Sequence, residues 1–168
     1  MISRSGNEKE LIDMVERCNA VGVRIYVDAI INHMTAHTGI GSAGNSHDSW
    51  KESYPAVPFG KPDFNDGICY TQSGKIENYN DANQVRNCKL EGMPDLALGN
   101  EYVRNKIVDY LNRLIDIGVA GFRIDAAKHM WPGDLQAIFS RLKNARAEYV
   151  ALFIIIFQRI IYFINILN

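Results

Sequence analysis

The stretch VAGFRID, residues 119–125, is a short run of mainly apolar residues that ends in an arginine and an aspartate. Its length and apolar character predict a β-strand. Gly118, directly before it, ends a predicted helix over residues 101–117, for which Asn100 is the N-cap. A second helix is predicted over residues 134–146, so the strand lies between two helices.

A second apolar run lies further upstream. VRIYVDAIINH, residues 23–33, is rich in β-branched residues and predicts a strand buried on both faces of a parallel sheet. Asp28 is the exception in this run, because a buried carboxylate needs a partner. Before it, residues 7–21 predict an amphipathic helix with Asn7 and Glu10 as a capping box. The alternation of helices and strands indicates α/β architecture, and two strands indicate a part of a larger sheet.

Residues 34–99 separate the two halves of this pattern. Gly, Ser, Asn, Asp and Pro dominate there, and the segment is too long for a simple loop of a compact domain. It therefore predicts an inserted subdomain. Cys69 and Cys88 lie in it and either form a disulfide or remain two free buried thiols. Cys18 is the third cysteine and has no obvious partner in the chain.

Charge and the N-terminal sequence limit the functional classes. The formal net charge of −1 excludes the strong basic field typical of nucleic-acid-binding proteins. The first residues, MISRSG, contain no apolar core, so no signal peptide is predicted in this chain.

Polar residues cluster where the two predicted strands end. Asn32 and His33 close the first strand, Arg123 and Asp125 close the second, and Lys128 and His129 follow. In α/β barrels the chemistry takes place at this end of the strands. Arg123 and Asp125 form either a plain ion pair at the rim or a catalytic pair, in which a guanidinium keeps a nucleophilic carboxylate charged.

At these residues the chain resembles animal-type alpha-amylases. GFRIDAAKHMWP at 121–132 is similar to their nucleophile motif and DAIINH at 28–33 to their other strand-end motif. IENYND at 76–81 and QVRNC at 84–88 resemble their insertion. The similarity covers about residues 3–146.

The resemblance implies the α/β class, with a partial (β/α)8 TIM barrel and an inserted B domain. Residues 1–36 would be a barrel segment of one helix and one strand, and 37–99 the B-domain-like insertion. Residues 100–146 would return to the barrel with a helix, a strand and a helix. Residues 147–168 would form an unmatched apolar tail.

The resemblance also implies the site. Asp125 would be the catalytic nucleophile, and Arg123 a ligand of an activating chloride. The residues expected to bind substrate are His33, Lys128 and His129. Those expected to bind calcium are Asn32, Arg86, Asp95 and His129, with Arg86 and His129 supplying backbone carbonyls. Without the resemblance, we would interpret Asn32 as a helix or turn cap and Asp95 as a solvated acid in a loop. Cys69 and Cys88 match a family disulfide, and Cys18 matches a cysteine whose partner lies upstream.

The implied function is endohydrolysis of alpha-1,4-glucosidic bonds in starch and glycogen by a retaining mechanism. The parent protein is expected to be secreted and monomeric. After about residue 146 the similarity ends before the glutamate that acts as general acid, and Glu148 does not match its surroundings. We therefore expect the 168-residue chain alone to be inactive. The alternatives are a non-catalytic glucan-binding fragment and a fragment anchored in a membrane by its tail.

The tail, residues 150–168, consists almost entirely of Ile, Phe, Leu, Val, Tyr and Asn. It reads as a membrane anchor, as a buried strand or helix, or as translated noncoding sequence of A/T-rich codons. Gln158 and Arg159 lie at its centre. A central arginine costs roughly 2.5–3.5 kcal/mol on membrane-insertion scales, so a membrane partner is not expected.

Overall fold

The computed structural model describes residues 2–143 of the 168-residue chain. Its strands are β1 Ile2–Ser3, β2 Gly6–Asn7, β3 Tyr26–Ala29, β4 Gly39–Ile40, β5 Ser46–His47 and β6 Gly121–Ile124. Its helices are α1 Glu8–Ala20, α2 Ala82–Asn87, α3 Glu101–Ile117 and α4 Pro132–Phe139, with 3₁₀ turns at Lys61–Asp63, Leu90–Gly92 and Ala127–His129.

The ends of α1 and α3 follow the predicted signals, whereas α4 begins at Pro132 and ends at Phe139 and does not cover the predicted range 134–146. Asn7 Oδ1 accepts from the Glu10 amide at 3.1 Å, and Glu10 Oε2 accepts from the Asn7 amide at 2.7 Å, which completes the capping box of α1. Gly118 adopts the left-handed conformation with φ 98° after the last turn of α3. A side chain at that φ is strained, so glycine there ends the helix and turns the chain into β6.

The two predicted strands are parallel neighbours. β3 pairs with β6 in the register Tyr26 to Gly121, Val27 to Phe122, Asp28 to Arg123 and Ala29 to Ile124. This is the βα-type connection that the alternating sequence pattern predicts, with the insertion and α3 between the strands. Both strands are shorter than the predicted apolar runs, residues 23–33 and 119–125, because only these four residues of each run are paired as strand residues.

The hydrophobic core lies on one face of this sheet. Ala29, Phe122 and Ile124 are buried there against the apolar sides of α1, α3 and α4, which contribute Val15, Val103, Leu111, Leu114, Leu135 and Ile138. Among residues 2–143, the helices thus cover only this face of the β3–β6 pair.

The prediction that the first strand is buried on both faces is wrong for this chain. Tyr26 is 46 % exposed and Ile30 55 % exposed, and Asp28 has 54 % of its side chain in solvent. Alternate strand residues point to opposite faces, so these positions share the face that the helices leave open. Within residues 2–143 this sheet has two strands, too few to curl around and cover that face.

The predictions for the apolar tail concern residues outside the described part of the chain. Residues 147–168, including Glu148 and the candidate anchor, lie outside the described residues. Among residues 2–143, none of the helices has both the length and the apolar content to cross a membrane.

Candidate active site

The carboxyl ends of β3 and β6 bring the predicted catalytic residues together. Asp28 and Arg123 are register partners, and Asp125 follows β6 with its amide donating to the Ala29 carbonyl at 3.1 Å. Because Arg123 and Asp125 are two residues apart in extended chain, their side chains lie on the same face. That face is the open one.

Arg123 lies between two carboxylates. Its Nη1 donates to Asp28 Oδ1 at 2.5 Å, and its Nη2 donates to Asp125 Oδ1 at 2.9 Å. The hydrogen bond to Asp28 is the largest cause that raises the pKa of the guanidinium. Two hydrogen bonds from one planar group hold both carboxylates in fixed positions, and Arg123 supplies the countercharge that an anionic nucleophile needs.

The chain turns sharply after Asp125. Ala126 has φ 51° and ψ 30°, a left-handed conformation that non-glycine residues seldom adopt. The 3₁₀ turn Ala127–His129 follows and carries Lys128 and His129. Such strained residues cluster at functional sites, where the surrounding structure holds them.

Within this turn the two predicted substrate-binding residues differ in exposure. Lys128 is exposed, and its Nζ lies 5.4 Å from the centre of the Tyr79 ring. His129 is buried, with Nδ1 2.9 Å from the Val85 carbonyl. Because a carbonyl only accepts, Nδ1 carries the proton. Burial is the largest cause that lowers the pKa of His129.

His33 belongs to the same cluster. Burial lowers the pKa of His33, while the negative charge of Asp125 opposes that effect. The structure therefore places His33 within electrostatic reach of Asp125. Tyr79, whose ring meets that of His129 edge-on at 6.4 Å between centroids, also belongs to this surface. Sequence reasoning did not single out Tyr79, although it lies inside the quoted IENYND motif.

The predicted calcium ligands occupy the junction between the barrel segment and the insertion. Asn32 is 1 % exposed, and its Oδ1 has no hydrogen-bond partner among the described residues. Asp95 is 4 % exposed and accepts from Asn65 Nδ2 at 2.8 Å. Burial raises the pKa of Asp95 to about 7. The Leu96 amide donates to the Asn32 carbonyl at 2.9 Å, which holds the two segments side by side.

These features fit a calcium ion. A buried amide oxygen without a donor and a buried carboxylate without a cationic partner are both costly, and an oxygen-seeking cation would satisfy both. Residues 2–143 contain no group of three or more His, Cys, Asp or Glu placed to hold a metal. The predicted set of ligands does not require such a group, because it consists of one carboxylate, one amide and two backbone carbonyls.

The fit to chloride is different. Both Nη atoms of Arg123 are already bound to carboxylates. An anion beside Asp28 and Asp125 would meet two like charges and one guanidinium, so these described residues do not form an anion site by themselves.

The insertion is held together by a disulfide and a charged network. Cys69 and Cys88 are joined by a disulfide, with Cα atoms 4.9 Å apart, and Cys18 is a free thiol. Lys89 Nζ lies 3.2 Å from Glu52 Oε1 and 2.8 Å from Asp66 Oδ1. Glu52 is buried. This network could not be predicted from the sequence, because each of its members is of a residue type that is normally a surface charge.

Comparison with known proteins places this arrangement in a family. The family described as alpha amylase, catalytic domain, matches residues 2–150. Human alpha-amylase 1B is 58 % identical over 153 residues, which is 89 % of this chain and 30 % of that protein. The alpha-amylase of Tribolium castaneum is 56 % identical over 147 residues, 88 % of this chain and 29 % of that protein.

Solved alpha-amylase structures are also similar to this chain. Wild-type alpha-amylase I of Eisenia fetida superposes with a TM-score of 0.84 at 48 % identity, covering 92 % of this chain and 32 % of that one. A variant of that enzyme was solved in complex with maltohexaose. An Anoxybacillus alpha-amylase, at 21 % identity and a TM-score of 0.64, shows the shared fold alone. The chain spans about 30 % of the length of the curated relatives.

Proposed function

This chain belongs to the alpha-amylase catalytic-domain family, and from that premise we propose that its parent protein hydrolyses internal alpha-1,4-glucosidic bonds of starch and glycogen. The fold is the corresponding part of a (β/α)8 barrel. The observation that carries the proposal is the Arg123–Asp125 pair, 2.9 Å apart at the carboxyl end of β6. This is the end of the strands at which barrel enzymes place their chemistry.

Asp125 is the proposed nucleophile. In a retaining mechanism one Asp125 oxygen attacks the anomeric carbon as the bond to the leaving oxygen breaks, and a separate acid gives that oxygen its proton. Water then releases the sugar from Asp125, with the same acid now acting as base. Arg123 orients the attacking carboxylate through its Nη2.

The general acid is proposed to lie in a part of the protein other than residues 2–143. The two carboxyl groups of a retaining enzyme lie about 5–5.5 Å apart, and the acid must be protonated when it acts. The other carboxylate on Arg123 is Asp28, which lies 2.5 Å from the guanidinium and stands within β3, so it does not share the strand-end position of Asp125. Because Glu148 does not match the surroundings of the family's general acid, we propose that the 168-residue chain alone does not hydrolyse starch.

Substrate binding is assigned to His33, Lys128 and His129. Lys128 is exposed beside the Tyr79 ring, so an ammonium and an aromatic face are available together to sugar hydroxyls and sugar C–H groups. The substrate is an alpha-glucan, as the maltohexaose complex of the Eisenia fetida relative supports.

Calcium is proposed as a structural ion between the barrel segment, residues 1–36 with 100–146, and the insertion, residues 37–99. Asn32 Oδ1 and Asp95 would bind it directly, together with the carbonyls of Arg86 and His129. Bound there, the ion would supply positive charge to buried oxygens and would link the insertion to the loop after Asp125. It would take no part in bond cleavage.

Chloride at Arg123 is proposed only with further donors from the remaining length of the domain. The parent is proposed to be secreted, as the human and Sus scrofa relatives named pancreatic alpha-amylase support, and to act as a monomer. The disulfide between Cys69 and Cys88 is consistent with an oxidising, extracellular compartment.

The family assignment favours hydrolysis over the glucan-binding alternative, and the tail-anchored alternative depends on residues outside the described part.

A graft tests the proposed nucleophile. Residues 2–143 would replace the matching segment of the Tribolium castaneum alpha-amylase, and starch hydrolysis would be measured with and without Asp125→Asn. We expect the graft to be active and Asp125→Asn to lower kcat by roughly 10³-fold or more, as for other nucleophiles. Asp109→Asn, at an exposed position on α3, is the matched control. An Asp125→Asn graft that stays within tenfold of the parent graft would exclude Asp125 as nucleophile.

A further inference from the structure

We propose that Trp131 and helix α2 form a clamp that holds the insertion against the loop after Asp125 without any metal, which makes Trp131 a positioning residue. The clamp consists of α2 residues Val85, Arg86 and Asn87 on one side and His129 and Trp131 on the other. It joins parts of the chain that are 44 residues apart.

Three consecutive residues of α2 contact the loop. The Val85 carbonyl accepts from His129 Nδ1 at 2.9 Å. The Arg86 guanidinium lies 4.8 Å from the centre of the Trp131 ring, within the range of a cation–π contact. The Asn87 Oδ1 accepts from Trp131 Nε1 at 2.8 Å. These contacts use a backbone carbonyl, a cation and an amide, so each residue makes a chemically different interaction with the loop.

Both sides of the clamp are rigidly attached. On the insertion side, Asp81 caps α2 by accepting from the Asn83 amide at 2.9 Å, and Cys88 directly after α2 is bonded to Cys69. On the barrel side, the Trp131 carbonyl accepts from the amides of Asp134 and Leu135 at 3.0 and 3.2 Å in the first turn of α4. Leu135 is buried in the main core. A displacement at either side is therefore transmitted across the Trp131–Asn87 hydrogen bond.

The clamp positions functional side chains. Lys128 and His129 lie between the strained Ala126 and Trp131, so their turn is held at its far end by the indole. The same turn and the same helix provide His129 and Arg86, the carbonyl ligands of the proposed calcium site. A clamp that is formed before the ion arrives would reduce the ordering that binding requires and would raise calcium affinity.

Hydrogen exchange in the presence of a chelator tests the clamp directly. The 168-residue chain would be compared with Trp131→Phe, which keeps an aromatic ring and removes the N–H donor. We expect faster amide exchange in Trp131→Phe in two peptides together, those spanning residues 82–89 and 126–132, by roughly 3- to 10-fold, as for the loss of one hydrogen bond. Trp50→Phe is the matched control, because Trp50 is 92 % exposed.

A second pair of variants separates hydrogen bonding from simple packing. Asn87→Asp keeps an acceptor for the indole N–H, whereas Asn87→Leu has similar size and no acceptor. We expect Asn87→Leu to reproduce the effect of Trp131→Phe and Asn87→Asp to preserve protection. The proposal is overturned if Trp131→Phe changes only its own peptide, or if Asn87→Leu and Asn87→Asp exchange alike.

Calcium titration supplies a further readout, which alone rests on the proposed calcium site. By calorimetry we expect the Kd for calcium to rise by roughly 3- to 10-fold in Trp131→Phe and to stay unchanged in Trp50→Phe. Equal affinities in the two variants would show that the clamp does not position the calcium-binding carbonyls. If neither variant nor the parent chain binds calcium, the calcium proposal fails, and the exchange result still decides whether the clamp exists.

Discussion

Asp28 and Arg123 are register partners across the parallel strands β3 and β6, and Arg123 Nη1 donates to Asp28 Oδ1 at 2.5 Å. The same guanidinium holds Asp125 through Nη2. An aspartate within an apolar strand thus has a specific partner, which in turn orients the proposed nucleophile. In this chain the pair lies on the face that the helices leave open.

The solvent exposure of this ion pair determines its energetic value. We expect Asp28→Asn to lower the free energy of unfolding of the 168-residue chain by less than about 1 kcal/mol, because 54 % of the Asp28 side chain is exposed. In the graft, where the remaining barrel strands cover that face, we expect a loss of about 3 kcal/mol or more, since an arginine left without its buried partner is costly. Chemical denaturation measures both values.

Asp13→Asn is the control for that comparison, because the Asp13–Arg17 pair is exposed on α1 and should cost the same small amount in both proteins. Equal losses for Asp28→Asn in the chain and in the graft would contradict the view that the rest of the barrel covers the open face.

The left-handed conformation of Ala126 gives a second prediction. Its φ of 51° is strained for alanine, and glycine adopts this conformation without that cost. We expect Ala126→Gly to change the free energy of unfolding by no more than about 0.5 kcal/mol or to raise it, because relief of strain offsets the extra freedom of the unfolded chain. Ala126→Val should lower it by about 1–3 kcal/mol, since a β-branched residue is disfavoured at positive φ.

Thermal unfolding of the two Ala126 variants, side by side, checks this prediction. A Gly variant less stable than the Val variant would show that Ala126 does not hold this conformation in solution.

Asp95 gives a prediction about pH. Burial raises its pKa to about 7, well above the ordinary value of 3.8 for an aspartate. Because the folded pKa lies above the unfolded one, the contribution of Asp95 to stability is full below about pH 4 and is lost as the pH rises through 7. We therefore expect Asp95→Asn to be more stable than the parent chain at pH 8 in a chelator, by several degrees in Tm, and the difference to shrink at pH 4.5.

Calcium should reverse that order at pH 8. At the proposed site the ion would stabilise the parent chain by binding the Asp95 carboxylate, whereas Asp95→Asn would provide a weaker ligand and gain less. Differential scanning calorimetry with and without calcium makes the comparison. If calcium raises the Tm of both proteins equally, Asp95 is not a ligand.

The charged network in the insertion gives a fourth prediction. Lys89 pairs with the buried Glu52 and with Asp66, so Lys89→Met leaves Glu52 without its cation. We expect a loss of about 2 kcal/mol in unfolding free energy at pH 7. The loss should be smaller at pH 4, because burial already raises the pKa of Glu52, and a protonated Glu52 needs no cation.

Lys51→Met provides the control, since Lys51 is 81 % exposed in its pair with Asp48 and should change the free energy of unfolding far less than Lys89→Met. Denaturant titrations at both pH values decide the point. A Lys89→Met loss that is independent of pH would assign the effect to packing of the lysine stem.

Much of the fold could be predicted from local signals. The capping box of Asn7 and Glu10 and the left-handed Gly118 are set by interactions within a few residues, so the sequence reveals them directly. The parallel β3–β6 pair followed from the alternation of apolar runs and amphipathic helices. The burial of β3 was predicted wrongly, because the pattern of a strand reflects the complete barrel and residues 2–143 contain two of its strands.

The sequence by itself determined helices α1 and α3, the two strands, the family and the identity of Asp125 as the candidate nucleophile, because these depend on periodicity, capping and contiguous motifs. Only the tertiary structure decided that Arg123 is shared by Asp28 and Asp125, that Asn32 Oδ1 is buried without a partner, and that Trp131 holds α2. The Arg123–Asp28 and Trp131–Asn87 contacts join residues that are far apart in the chain, and the burial of Asn32 depends on the distant segment that carries Asp95. Their geometry depends on how β3, β6 and the insertion pack, which no local pattern encodes.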